Sequence, residues 1–451
     1  MKMVHLFYLS SFFILLIFNF SGAGAGGATV PPDQCLKLRL LRRENSPSLS
    51  DTLFSDLLRL SKLNHPRNPQ LPLTSGASAG VGQYFVDLHV GSPPQRLLLV
   101  ADTGSDLVWV RCSACRNCSA RPSGSAFLAR HSESFKLHHC YDKECQLAPR
   151  PIDAVCNHTR LHSPCQFDYS YVDGSRTSGL FSSEEMTFNT TSGRLTKHDG
   201  LSFGCAFQVA GPSLTGRSFN GANGVMGLGR GPISFVSQLG KNFGHKFSYC
   251  LMDYTLSPPP TSFLQIGGSL NNTVEQSRIN YTPLLVNVLS PTFYYIGIQS
   301  VTVGGTRLQI NPSIWSIDES GNGGTVVDSG TTLTFLAEPG YRQILAAFRR
   351  RIKFPSPAEL TPGFDLCINI SGVSKPSLPR LSFKLGGGSV LSPPPRNYFI
   401  DTADGVKCLA LQPVNSPTGL SVIGNLMQQG FLFEFDKDRS QLGFTRHSCS
   451  L

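Results

Sequence analysis

The chain has 451 residues, of which 40% are hydrophobic and only 15% charged, with 44 glycines and 31 prolines. That length allows two or three domains, the apolar content excludes a disordered chain, and the Gly and Pro content favours many short strands and turns over a helical bundle. The net charge of +10 falls to about +6 once residues 1–78 are set aside, and no long basic run remains, which argues against nucleic acid as a partner.

In chain order, residues 1–5 are short and carry Lys2, residues 6–20 are almost wholly apolar, and "SGAGAGGA" at 21–28 is small and cleavable. This is the pattern of a secretory signal peptide ending near residue 25. The apolar run is short for a membrane span, which needs about 20 residues, and no later stretch is longer, so no membrane contact beyond the signal is expected. Residues 26–78 read as a propeptide. Within it "SDTLFSDLLRLSKLN" at 50–64 has Leu53, Phe54, Leu57, Leu58, Leu60 and Leu63 at helical spacing behind Ser50 and Asp51 as caps. A Pro- and Ser-containing linker follows, with cleavage expected near 70–80. Upstream, "KLRLLRR" at 37–43 is basic, and one expectation is that it lies along an acidic cleft and pairs with carboxylates at neutral pH.

From Val81 the texture changes to strands and turns, and it changes in two copies. "GQYFVDLHVGSPPQRLLLVADTGSDLVWV" at 82–110 runs from alternating strands through a Gly/Pro turn to an acid between apolar runs. "PTFYYIGIQSVTVGGTRLQI" at 291–310 begins the same way, and "GGTVVDSGTTLTFL" at 323–336 supplies the second acid. Each copy later has a hydrophobic–Gly element, "GVMGLG" at 224–229 and "SVIGNL" at 421–426. The repeat implies an all-β protein of two homologous lobes, residues 79–275 and 276–451. Helices are expected only at 338–352 and, more briefly, at 233–240.

A carboxylate driven into an apolar strand is costly unless partnered. Two such acids in equivalent places are expected to meet. Like charges held close resist joint ionisation, so the pair shares a proton over an acidic range and can serve as base and acid together. Asp102 and Asp328 are the candidates. Gly104 and Gly330 would let backbone approach the carboxylates. Thr103 and Ser329 would brace the loops across the pair, and Ser105 and Thr331 would bond the outer carboxylate oxygens.

Thirteen cysteines suit an oxidising compartment. Cys35 lies apart; the other twelve allow six bridges, and spacing alone does not select among their connectivities. "CSACRNC" at 112–118, with His138, His139, His158 and His162 among later cysteines, could also be read as zinc ligation, but an even cysteine count in a secreted chain favours disulfides; no metal or other cofactor is expected. Asn117, Asn157, Asn189, Asn271, Asn280 and Asn369 stand in glycosylation sequons. No H-E-x-x-H signature is present.

"ADTGS", "VDSGT", both hydrophobic–Gly elements and the flap-like "YVDGSRTSG" at 171–179 together resemble the pepsin-like aspartic proteases over essentially all of residues 80–451. The cysteine spacing resembles the plant nepenthesin-type branch. The resemblance implies a bilobal fold and a secreted aspartic endopeptidase, made as a zymogen held inactive by its own propeptide. It implies acidic-pH hydrolysis of peptide or protein substrates, a monomer, and an apoplast or cell-wall location, with vacuole or plastid also open. It implies Tyr171 as the flap tyrosine with Trp109 as its hydrogen-bond partner, and Gly174 and Gly179 as sources of flap mobility. It further implies the pairs Cys112–Cys115, Cys118–Cys205, Cys140–Cys165, Cys145–Cys156, Cys250–Cys449 and Cys367–Cys408. Val172 departs from the glycine common in relatives. The rival expectation is a catalytically silent binding protein or inhibitor on the same scaffold.

Overall fold

The structure, a computed structural model, describes residues 36–41, 56, 84–113, 126–151, 156–157, 159–171, 175–189, 195–211, 214–215, 219, 221–252, 262–268, 279–359, 361–414, 419–447 and 449. The signal segment, the propeptide helix apart from Asp56, and Cys35, Cys115, Cys118, Asn117, Asn271, Val172 and Gly174 fall outside that set.

Strands dominate, arranged among the described residues as one 14-stranded sheet and smaller sheets of five, four and three strands. Both acid loops are built on the same strand plan. Strand Gln95–Asp102 runs parallel to Gly224–Gly227, with Asp102 opposite Gly227, and Trp109–Arg111 closes on the far side of Gly224–Gly227 in antiparallel sense. In the second copy Thr325–Val327 runs parallel to Ser421–Ile423, with Val327 opposite Ile423, and Thr334–Ala337 pairs antiparallel to it at Phe335 and Val422. The β-branched and leucine-rich runs flanking each acid are buried on both faces, as parallel central strands require. The repeat in sequence is thus a repeat in hydrogen-bonding plan.

The helices are few. Phe235–Phe243 is capped by Ser234, whose side chain accepts from the Ser237 amide, and buries Phe235, Val236, Leu239 and Phe243. Glu338–Arg351 takes Pro339 in its first turn, places three arginines in its last, and turns Tyr341, Ile344, Leu345 and Phe348 inward.

The described part of the basic segment, residues 36–41, is built into the fold as a strand. Residues Leu36–Leu41 form a strand between Ser262–Ile266 and Phe85–Val90 of the large sheet. The reason is the alternation in LKLRLL: Leu36, Leu38 and Leu40 enter the core, each gaining about 2 kcal/mol of burial, while Lys37 lies over the Phe263 ring and Arg39 is exposed. An alternating pattern satisfies a half-buried strand, and that outweighs any pull of the charges toward the acids.

Four of the six expected cysteine pairs fail: Cys112–Cys115, Cys118–Cys205, Cys140–Cys165 and Cys145–Cys156. Cys112 bonds Cys205, not Cys115, because Trp109–Arg111 runs parallel to the strand carrying Cys205 and delivers residue 112 beside it, 5.5 Å apart at Cα. The pairs Cys140–Cys165 and Cys145–Cys156 are exchanged for Cys140–Cys156 and Cys145–Cys165. The short helix Lys143–Leu147 turns Cys145 inward to where Cys165 is equally buried, leaving Cys156 for Cys140 at the surface. Cys250–Cys449 and Cys367–Cys408 form bridges. The four sulfurs near His138 and His139 are therefore bonded to one another. Of the sequons, Asn157 and Asn280 are exposed and Asn369 is half-buried, while the side chain of Asn189 is not described.

Candidate active site

Each acid stands where a strand ends, and each loop then turns back on its own carboxylate. At Asp102, the Gly104 amide donates to Oδ1 at 3.0 Å and Ser105 Oγ donates to Oδ2 at 2.6 Å. At Asp328, the Gly330 amide donates to Oδ1 at 2.9 Å and Thr331 Oγ1 donates to Oδ2 at 2.6 Å. The amide two residues on and the hydroxyl three residues on are used identically, which is why both motifs place a glycine and then a hydroxyl residue there. A carboxylate holding an amide and a hydroxyl is fixed in orientation while buried.

The loops are joined to each other. The Thr103 amide donates to Ser329 Oγ at 3.2 Å, and the Ser329 amide donates to Thr103 Oγ1 at 2.9 Å. The hydroxyl donations differ: Ser329 Oγ gives to the Ala101 carbonyl, Thr103 Oγ1 to Asp328 Oδ1 at 3.3 Å. Residues more than 220 positions apart in sequence thus share one buried polar centre, with Asp102 at 0% and Asp328 at 3% exposure. Two carboxylates held this way can position a water, take its proton and polarise a carbonyl without a covalent intermediate.

Tyr171 stands at the end of the hairpin formed by Gln166–Ser170 and Arg176–Asn189, where its amide donates to the Ser175 carbonyl at 2.7 Å. Trp109 Nε1 donates to Tyr171 Oη, and the Trp109 ring stacks on Phe219 with centroids 5.9 Å apart. Both aromatics are buried, so their packing and their hydrogen bond act together. Gly179 is not a hinge. It lies within a strand, and a Cβ there would meet the Cys205 carbonyl at 2.1 Å, so its role is close packing.

Sequence reasoning misses three residues at this centre. Gln428 donates to the carbonyls of Asp328 and Ile423, and its Oε1 accepts from Tyr249 Oη. Asn425 donates to the Ser329 carbonyl at 3.0 Å. Asp106 is buried just beyond the first loop. Their only signal in sequence is a polar side chain close to an apolar run. A fourth contact comes from upstream: Asp56 Oδ2 accepts from the Leu333 amide, two residues beyond Thr331, at 2.9 Å.

Comparison with known proteins follows the same division. A family model described as "Xylanase inhibitor N-terminal" matches residues 84–268, and one described as "Xylanase inhibitor C-terminal" matches 293–446. The chain is 35% identical to Aspartyl protease family protein 2 of Arabidopsis thaliana, over 93% of this chain and 82% of the relative. It is 35% identical to aspartic proteinase nepenthesin-1 of Nepenthes gracilis, over 87% of this chain and 84% of the relative. Among solved structures, one titled "Crystal structure of edgp" matches with a TM-score of 0.69 at 22% identity, covering 93% of this chain and 96% of that one. The basic 7S globulin from soybean matches with a TM-score of 0.66 at 17% identity, covering 93% and 96% respectively. These last two establish likeness of fold.

Proposed function

The chain belongs to the pepsin-like aspartic protease family, and we propose that it is itself an endopeptidase in which Asp102 and Asp328 activate one water between them. The observation that carries this reading is the doubled brace: both acids keep the same amide and hydroxyl on the same oxygens, across loops tied by Thr103 and Ser329. A scaffold relieved of catalysis has no need to hold two buried carboxylates in matched orientation, since burial without function costs stability. One aspartate takes the proton of the water as it attacks, while the other, protonated, donates its proton to the carbonyl oxygen of the scissile bond; as the C–N bond breaks, the first passes its proton to the leaving amine and the second takes one back from a hydroxyl of the tetrahedral intermediate. The substrate is an extended peptide, and Tyr171, held by Trp109, is the group that closes over it.

The test is peptide cleavage by the matured protein as a function of pH, with pepstatin as inhibitor. Cleavage concentrated at acidic pH and blocked by pepstatin supports the reading. No cleavage of a broad peptide library by folded protein leaves the second reading, a binding protein, which the descriptions "Xylanase inhibitor" of the two family models motivate.

Secretion and synthesis as a zymogen belong to the same proposal. Five bridges among the described residues suit an oxidising compartment. Among the described residues, the precursor segment is held by the strand Leu36–Leu41 within the large sheet and by Asp56 on the Leu333 amide. The precursor carrying Asp56→Ala is expected to show about tenfold to a hundredfold more activity at neutral pH than the unaltered precursor, the loss of one hydrogen bond to a charged group being worth about 1.5–3 kcal/mol. Equal latency of the two precursors in a fluorogenic peptide assay would refute a holding role for Asp56.

A further inference from the structure

Asp106 follows the first acid loop directly, is 7% exposed, and takes no part in the chemistry described above. Its carboxylate is bound from both lobes. Oδ1 accepts from the Gly231 amide at 2.8 Å, and Oδ2 accepts from Thr292 Oγ1 at 2.7 Å. The space is built for it: a Cβ at Gly229 would lie 2.3 Å from Oδ1, and one at Gly231 would lie 2.2 Å from Oδ2. Backbone bonds complete the joint. The Gly229 amide donates to the Ser105 carbonyl at 2.8 Å, and the Arg230 amide donates to the Thr292 carbonyl at 2.9 Å. Ser105 is the residue whose hydroxyl holds the outer oxygen of Asp102.

We propose that Asp106 is a positioning residue: bonded to Gly231 and Thr292, it fixes the backbone at 105 and so aims the Ser105 hydroxyl at Asp102. This rests on reading Asp102 as catalytic. The charged and titratable groups around Asp106 are Lys437, beyond the strand Phe431–Asp436, and Arg230, with Tyr294 from the second lobe and Tyr169 and Asp102 from the first. Burial pushes the Asp106 carboxyl up, and the Thr292 and Gly231 bonds oppose that push. Burial also brings Lys437 down to about 8, against the pull of Asp106. The Thr292 hydroxyl is therefore part of what holds the carboxylate in its bonded form.

The test removes the hydroxyl and keeps the shape. Thr292→Val is expected to lower kcat per pepstatin-titrated site about tenfold with KM within about twofold, since a small misplacement of a catalytic group acts on rate more than on binding. Amide hydrogen exchange at Gly104 and Ser105 is expected to quicken about tenfold, in step with the loss of rate. Thr292→Ser restores both. Asp106→Asn combined with Thr292→Val is no worse than the weaker single variant, because both cut one linkage. Wild-type kcat per titrated site and wild-type exchange in Thr292→Val would overturn the proposal. Should the unaltered protein cleave nothing, the endopeptidase reading fails on its own, and the exchange measurement still decides whether Asp106 fixes residue 105.

Discussion

Asp102→Asn and Asp328→Asn are each expected to reduce kcat by at least about a thousandfold, the range in which general acid–base groups act, while the folded protein survives. The geometry explains the separation of the two effects. Asparagine keeps the shape of aspartate, so the bonds from the Gly104 amide to Oδ1 and from the Gly330 amide to its counterpart remain available. Ser105 and Thr331 donate to the outer oxygens, and a hydroxyl can rotate to accept from an amide nitrogen instead. What asparagine cannot do is take a proton from water or hold one for a carbonyl. Because one water needs both acids, the double variant should be no slower than either single one, a non-additivity that marks groups acting as a unit. Measurement of kcat beside the thermal midpoint separates the readings. A variant that keeps more than about a tenth of wild-type kcat with an unshifted midpoint would remove that residue from the chemistry.

The acids are legible in the sequence because they come as a pair. A single buried aspartate in a turn is ambiguous, but the repeated order of strands, acid, glycine, hydroxyl and hydrophobic–Gly element has no such freedom. The helix Glu338–Arg351 is legible for a comparable reason, its apolar positions recurring every three to four residues over a long run. The misses share a different cause. Cysteine pairing depends on which strand runs beside which, so Cys112 meets Cys205 through a parallel pairing that no local spacing encodes. Charge draws attention in the segment at 37–43, whereas the alternating leucines of its described part, Leu36–Leu41, set a strand there. Asp106, Asn425 and Gln428 escape notice because nothing in the local sequence names the partner of each side chain. Such residues acquire meaning only when their partners, Thr292, Ser329 and Asp328, arrive from elsewhere in the chain.

Gly227→Ala and Gly424→Ala should cost about 3 kcal/mol or more each, at the upper end of what overpacking produces. The glycine of each hydrophobic–Gly element crosses the chain just downstream of an acid. A Cβ at Gly227 would stand 2.4 Å from the Asp106 carbonyl carbon, and one at Gly424 would stand 2.0 Å from the Leu333 carbonyl oxygen. Both obstacles are backbone, four or five residues past Asp102 and Asp328 respectively, and backbone there cannot swing aside as a side chain would. Gly227 lies opposite Asp102 in the parallel register, so displacing it displaces the acid. Gly424 follows Ile423, the partner of Val327, and stands in the same relation to Asp328. The internal control is Gly297→Ala: its added Cβ would meet nothing nearer than a Leu285 methyl at 3.7 Å, and its backbone is not left-handed, so its cost should stay within about 1 kcal/mol. Urea titration of the three variants checks the ranking. If Gly227→Ala and Gly424→Ala unfold at wild-type urea, the tight crossing is not what holds the acid loops in place. If they are destabilised equally while Gly297→Ala is not, the two loops depend on one backbone device, used once in each lobe, and the matched orientation of the two carboxylates follows from it.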